Sequence, residues 1–393
     1  MIKYAHQYLR SASAIIDVYD GSLPLAIFLK QYFKQQKKFG SKDRRYIAQA
    51  CYCYFRLARA IVSDSVEEKI KASLFLCYTD INEWGAVFPE EWKSGWNDDI
   101  KTKLGFVTKK FPGTKEQNIF PWMNELSGGI DNEKFLYSHF VQPDLFLRIR
   151  PGKEKYVLQK LNEQQITYKQ IKPDCLALPN SSKIDAILEI DKEVVIQDYS
   201  SQRIKEFFQF KIQNSKFKIE LWDCCAASGG KSILAYDTLQ NIELTVSDVR
   251  PAILQNLKER FEKVGIKNYQ SFVADLTNPT LKIQHSKFNI ILCDAPCSGS
   301  GTWGRTPEQL CFFTDGKINE YASLQKKIVN NVLGKVADGG YFLYITCSVF
   351  KKENEEMVSF IQQQSGFELV KMELLKGYEV KADSMFAALF SRK

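Results

Sequence analysis

Apolar residues recur at three- and four-residue spacings over 23–36, 43–62 and 66–78, and that period predicts amphipathic helices in the first third of the chain. Ser41, just ahead of Lys42-Asp43-Arg44, is placed to cap the second of them. Residues 80–129 are punctuated by Trp and Pro and carry no clear period. The pattern then changes. Residues 145–151 alternate like a strand ending at a proline, 153–162 reads as a short helix, and 176–179 and 194–197 read as further strands. From about residue 216 the order is strand, glycine loop, helix, repeated. A strand over 218–225 runs into Ala226-Ala227-Ser228-Gly229-Gly230-Lys231 and a helix over 232–239. A second strand, 242–246, leads to Asp248. A helix over 252–264 precedes a third strand, 268–273, which leads to Asp275. Two more apolar runs, 288–293 and 341–346, read as buried strands. Strands alternating with helices predict an α/β fold with a parallel, doubly wound sheet. The expected division is a helical domain over 1–134, a small α/β module over 135–215 and the doubly wound domain over 216–393.

Charge and cysteine usage narrow the setting. Lys and Arg outnumber Asp and Glu by 54 to 46, a net charge of +8 that suits a polyanionic partner without requiring one. Lys34, Lys37, Lys38, Lys42, Arg44 and Arg45 cluster around one predicted helix junction among Tyr32, Phe33, Phe39 and Tyr46. That is the composition of an RNA-facing patch and also of a solvated turn. Arg148 and Arg150 share the polar face of the strand at 145–151, where phosphate contact and plain solvent exposure are both open. No stretch has the apolar length of a membrane span, and the first residues lack a signal peptide's apolar core, so a cytoplasmic, monomeric protein is expected. The ten cysteines contain no CxxC pair, and only three histidines accompany them. Neither a metal site nor a disulfide framework is expected, and most of these thiols should be small buried hydrophobes.

Candidate chemistry gathers at the strand ends. The loop Gly229-Gly230-Lys231-Ser232 is neither a P-loop nor a GxGxxG fingerprint, yet it leaves backbone bare at a strand-to-helix turn. Asp248, Asp275 and Asp294 stand at the ends of successive predicted strands. In open α/β sheets such acids meet a nucleoside: one can accept hydrogen bonds from ribose hydroxyls, another can reach an adenine amino group. S-adenosylmethionine or a dinucleotide is the expected ligand class. Asp294 also opens Asp294-Ala295-Pro296-Cys297-Ser298-Gly299-Ser300-Gly301, which sets a carboxylate and a thiol on one tight loop. A second thiol, Cys347, ends the strand at 341–346.

Three stretches resemble the Sun/Nop family of RNA 5-methylcytosine methyltransferases: 223–231 (Asp-Cys-Cys-Ala-Ala-Ser-Gly-Gly-Lys), 294–301, and Thr346-Cys347-Ser348 with Glu353-Asn354-Glu355. Gln197 to Gln202 and Asp383 to Ala388 look like the family's opening and closing motifs. Residues 1–134, through Ser41 to Arg45 and Tyr54-Phe55-Arg56, resemble more weakly the NusB-like RNA-binding domain of the bacterial small-subunit ribosomal RNA methyltransferase B group. The resemblance implies a Rossmann-like S-adenosylmethionine-dependent sheet with Cys225, Ala226, Ala227, Ser228, Gly229, Gly230, Lys231, Asp248, Asp275 and Asp294 around the cofactor. It assigns nucleophilic attack to Cys347 and product release to Cys297, with Asp294 and Lys231 beside the target base. Cys224, Cys225 and Cys293 are expected to pack the core, Cys225 also lining the cofactor loop. The implied activity is cytosine-C5 methylation of RNA, ribosomal rather than transfer RNA. A DNA cytosine-5 methyltransferase would not need Cys347, and a catalytically silent RNA-binding or ribosome-assembly protein would not need both thiols. Two departures stand out: Ser228 replaces the family's usual Pro, and residues 252–255 hold no match to an arginine that commonly follows the ribose-binding acid.

Overall fold

The computed structural model describes residues 2–208, 218–280 and 287–393, so the expected boundary at 215/216 lies outside the described residues. Two compact units emerge: Met1–Asn124 with Asp131–Gln142 and Trp303–Thr314, and Glu125–Ile130 with Pro143–Thr302 and Asp315–Lys393.

The first unit is helical, with long helices at Ala5–Val18, Leu25–Gln35, Ser41–Leu57, Val66–Cys77 and Ile100–Lys110. Ser41 is the first residue of its helix and not its cap. Gly40 takes the cap position, and Asp43 Oδ2 accepts the Gly40 N–H at 2.8 Å, an acid in the first turn serving the helix end. Trp303 and Phe313 pack among Trp122 and Phe120, which draws Trp303–Thr314 into this unit although it lies far along the chain. Arg56 is buried and donates to the carbonyls of His139 and Gly304 and to Gln142 Oε1, a structural role for that part of the predicted motif. The six basic side chains at 34–45 are all exposed.

The second unit holds two sheets. The smaller is antiparallel, ordered β2-β3-β1-β4, from β1 (Leu145–Ile149), β2 (Lys169–Lys172), β3 (Cys175–Leu178) and β4 (Val194–Ile196). Arg148 and Arg150 are turned to a buried acid and not to open solvent. Their guanidinium groups reach Asp237 of the helix Gly230–Leu239 at 2.6 and 2.7 Å, with side-chain exposures of 3%, 14% and 4%. Alternation places them opposite the small sheet's own core, but that face is covered.

The larger sheet is ordered β10-β11-β9-β8-β5-β6-β7: β5 (Ile219–Asp223), β6 (Ile242–Asp248), β7 (Tyr269–Val273), β8 (Phe288–Asp294), β9 (Val336–Thr346), β10 (Phe367–Leu375) and β11 (Met385–Arg392). Strands β5 to β9 pair in parallel, and β11 runs antiparallel between β9 and β10. Alternate side chains feed two cores. Leu221, Leu244, Ile290, Leu292, Leu343 and Ile345 face the helices Gly230–Leu239 and Pro251–Val264. Trp222, Ile291, Cys293, Phe342 and Tyr344 face Gly316–Leu333 and Glu355–Gln362. With both faces covered, the strands are the continuous apolar runs read in the sequence, each fully buried Leu or Ile contributing roughly 1.5–3 kcal/mol. Strand order reverses between β5 and β8, and a crevice opens there at the carboxyl ends.

Candidate active site

A cavity of about 640 Å³ occupies that crevice, lined by Cys224, Cys225, Ala227, Asp248, Arg250, Asp275, Asp294, Cys297 and Cys347 among others. Its size suits a nucleoside-sized ligand.

The glycine loop forms one wall. Gly229 caps the following helix at φ +83°, and a Cβ there would lie 2.6 Å from the Phe261 ring, so a side chain is excluded by both backbone and space. Ala227 shares the left-handed region at φ +45° and aims its N–H at Asp248 Oδ2, 3.0 Å away. Ala226 N–H donates to the Ser247 carbonyl, tying the loop to β6. Ser228 offers its carbonyl and hydroxyl oxygens to the Arg260 guanidinium at 2.9 and 3.2 Å. Ala226, Ser228, Gly229, Gly230 and Lys231 thus shape the loop from behind, while Cys225 and Ala227 meet the cavity.

Asp248 ends β6 as expected, and its carboxylate is saturated. Oδ1 accepts from the Arg250 N–H and Nε at 3.0 and 2.9 Å, and Oδ2 accepts from Ala227 N–H and an Arg250 terminal nitrogen at 3.0 Å each. Burial opposes its charge, but the Arg250 bonds outweigh that and hold its pKa below the usual carboxylate range. The Arg250 side chain is 57% exposed, so it can swing away and free two acceptor positions for a ribose diol. Arg250 precedes its helix, outside residues 252–255, which hold no match to the family's arginine. Asp275 turns back to accept from Thr277 N–H and Oγ1 at 2.9 and 2.6 Å, bonds that lower its pKa, while its residue still lines the cavity. The donor and acceptor set fits a nucleoside cofactor.

The other wall carries the thiols. Cys297 follows β8 and Cys347 follows β9, neighbouring strands, and the Cys347 N–H points at Cys297 Sγ, 3.3 Å away. Proximity to the Cys347 sulfur, which takes a hydrogen bond from it, and then burial push the Cys297 pKa well above that of an ordinary thiol. Lys231 Nζ is 3.0 Å from Asp294 Oδ2. Burial works against the ammonium, yet Asp294 and then Cys347 more than offset it, and the Lys231 pKa stands raised.

Behind both thiols lies a brace whose sequence was visible but whose role was not. Glu353 is fully buried. It accepts from Ser298 N–H and O–H at 2.9 and 2.5 Å, Ser348 O–H at 2.6 Å and Gln325 Nε2 at 2.9 Å. Ser298 follows Cys297 and Ser348 follows Cys347, so one carboxylate joins the two loops. Burial, the largest influence, raises its pKa despite those bonds. Asn354 accepts from Thr346 Oγ1 and donates to the Ser348 carbonyl and Ser127 Oγ, and Glu355 accepts from Ser127 Oγ and Gly128 N–H. Gly301 completes the packing: its N–H donates to the Cys347 carbonyl, and a Cβ there would sit 2.0 Å from the Ser384 carbonyl oxygen.

Residues 207–390 match the family model described as 16S rRNA methyltransferase RsmB/F. The match takes in the large sheet and stops short of half the chain. Among curated proteins, the chain is 31% identical over 191 residues to Ribosomal RNA small subunit methyltransferase B of Cronobacter sakazakii, covering 47% of this chain and 42% of that protein. It is 30% identical over 193 residues to the protein of the same name from Citrobacter koseri, covering 49% and 44%. The matches therefore span less than half the length of these relatives. In fold, the chain resembles the crystal structure of PH0851 with a TM-score of 0.71 at 18% identity, covering 100% of this chain and 99% of that one. NSun6 from Pyrococcus horikoshii with SFG gives a TM-score of 0.57 at 15% identity over 71% of this chain and 98% of that one. The matched residues carry a Rossmann-like sheet typical of S-adenosylmethionine-dependent methyltransferases.

Proposed function

We propose that the chain is an RNA cytosine-C5 methyltransferase acting on small-subunit ribosomal RNA, with Cys347 as nucleophile and Cys297 as the group that assists release. The observation that carries this reading is the pair of thiols on adjacent strand ends, in one cavity with Asp294, whose carboxylate holds Lys231. Ribosomal RNA is favoured over transfer RNA by the family model and by the names of the curated relatives.

Carbon 5 of cytosine is a weak nucleophile. The Cys347 sulfur bonds to carbon 6 while its thiol proton passes through the Asp294–Lys231 pair to the ring nitrogen, which moves the ring's electron pair to carbon 5. Bound S-adenosylmethionine supplies the electrophilic methyl group that carbon 5 takes. The Asp294–Lys231 pair holds a proton near the ring nitrogen, where charge gathers during addition. Loss of the carbon-5 proton to a base then restores the ring double bond and expels the Cys347 sulfur. Cys297 is suited to that base role by the order of events. Two thiolates this close do not coexist, and the Cys347 sulfur is the main influence keeping Cys297 protonated. Once Cys347 is a neutral thioether, that influence lifts, which makes a proton easier to remove from Cys297 than in the free enzyme, although burial and Glu353 still act on it. The base edge must be unstacked to reach the thiols, which selects a single-stranded or flipped cytosine. The exposed basic side chains at 34–45 supply phosphate contacts for the first unit.

The test is methyl transfer from labelled S-adenosylmethionine to small-subunit ribosomal RNA, followed by bisulfite sequencing. One protected cytosine, absent with Cys347→Ala, is expected. Label incorporated without any protected cytosine would reject carbon 5 as the target.

A further inference from the structure

The carboxyl edge of the large sheet holds a second group of thiols that the methyl-transfer reading does not use. Cys224 and Cys225 follow β5, and Cys293 sits one residue before the end of β8. Their three Sγ atoms all lie within 4.8 Å of one another, and all three are free thiols. Cys293 is 0% and Cys224 1% exposed, while Cys225 is partly open. Cys224 and Cys225 also line the cavity, so a small molecule reaches the cluster through that space. Three thiols converging on one point make a soft donor set.

The surroundings decide what it can hold. Hydrogen bonds from Cys224 and then Cys225 hold the Cys293 pKa down to about 6 against burial and the charges of Asp294 and Asp223, while burial foremost raises the pKa of Cys224. Three thiolates around a divalent cation would leave a net negative charge buried beside two acids, which is costly. A trivalent thiophilic centre avoids that cost. Arsenous acid arrives neutral and leaves a neutral complex: As(OH)3 + 3 RSH → As(SR)3 + 3 H2O. Three As–O bonds break and three As–S bonds form, each departing hydroxide takes one thiol proton as water, and arsenic stays trivalent. The thiols are already gathered by two neighbouring strand ends, so little chain entropy is lost on binding.

We propose that Cys224, Cys225 and Cys293 form a three-thiol site for a neutral trivalent metalloid such as arsenous acid, opening on the cavity at the sheet's carboxyl edge. The site stands independently of the reaction the cavity supports.

The full chain, reduced with a phosphine, is incubated with sodium arsenite and weighed by native mass spectrometry. The expected species is a 1:1 adduct whose mass gain is one arsenic less three hydrogens. Two-thiol capture, as at Cys297 and Cys347, would keep a hydroxyl on arsenic and weigh differently. Cys293→Ala should abolish the three-thiol species, as should Cys225→Ser at the more open position, with folding checked by circular dichroism. Absence of that species from the wild-type chain, or its persistence in a folded Cys293→Ala or Cys225→Ser variant, would overturn the assignment.

Discussion

Replacing Glu353 by Ala tests whether one buried carboxylate holds the two thiol loops in register. Its oxygens accept four hydrogen bonds, two from Ser298, one from Ser348 and one from Gln325, at 2.5–2.9 Å. At about 1 kcal/mol for each buried donor left without that acceptor, the loss would approach ~4 kcal/mol. The cost of burying the charge, visible in the raised pKa, offsets part of it. A net loss of about 2–4 kcal/mol should lower Tm by roughly 4–16 °C in a unit of this size. Activity should fall further than stability explains, because both loops lose their shared anchor, and displacement of a reacting group by about 1 Å costs on the order of 100-fold. The assay is single-turnover methyl transfer well below the variant's Tm, alongside thermal unfolding and cofactor titration. Glu353→Gln, which keeps one acceptor oxygen, should recover part of both losses. A Glu353→Ala enzyme with lowered Tm and a rate within about twofold of wild type would refute the positioning role and leave only a structural one.

Asp223 is fully buried, its Oδ2 accepts from Ser232 Oγ at 2.6 Å, and burial foremost pushes its pKa up to about 7 from 3.8. A raised carboxyl pKa favours the protonated folded state, so this contribution is complete near pH 4 and is lost as pH rises through about 7. The stability gap between wild type and Asp223→Asn should therefore shift by several kcal/mol, on the order of 4, in favour of the variant between pH 4 and pH 8, as read by urea denaturation; a constant gap would contradict it. Asp237→Ala strands the Arg148 and Arg150 guanidinium groups and should cost about 3–5 kcal/mol, measured the same way, whereas a cost below about 1 kcal/mol would show that the pair is dispensable. Asp248→Ala removes the acceptor shared by Ala227, Arg250 and the expected ribose, and should weaken S-adenosylmethionine binding by about 10- to 100-fold in calorimetric titration; unchanged affinity in a folded variant would contradict the ribose role.

The large sheet was legible because parallel strands buried on both faces have to be continuous apolar runs, and acids at their ends mark the crevice. Asp248, Asp294, Cys297 and Cys347 all lie in one cavity for that reason. What the local pattern could not carry was partnership across distance. The alternation of 145–151 identifies Arg148 as opposite an apolar face, but not that Asp237, 89 residues on, would cover it. Arg250 was missed because it stands before its helix and not within it. Glu353 was visible as part of a motif, yet a brace is defined by what it joins, and Ser298 is 55 residues away. Nor does spacing reveal that Cys293 meets Cys224 and Cys225, since only strand order brings β8 beside β5.

Covalent trapping tests the division of labour between the two thiols most directly. Cys297→Ala and Cys347→Ala are each incubated with small-subunit ribosomal RNA and S-adenosylmethionine, then run on a denaturing gel. Cys297→Ala should accumulate a protein–RNA adduct, because attack proceeds while release fails, and Cys347→Ala should form none. An adduct with Cys347→Ala, and none with Cys297→Ala, would contradict the account and make Cys297 the nucleophile.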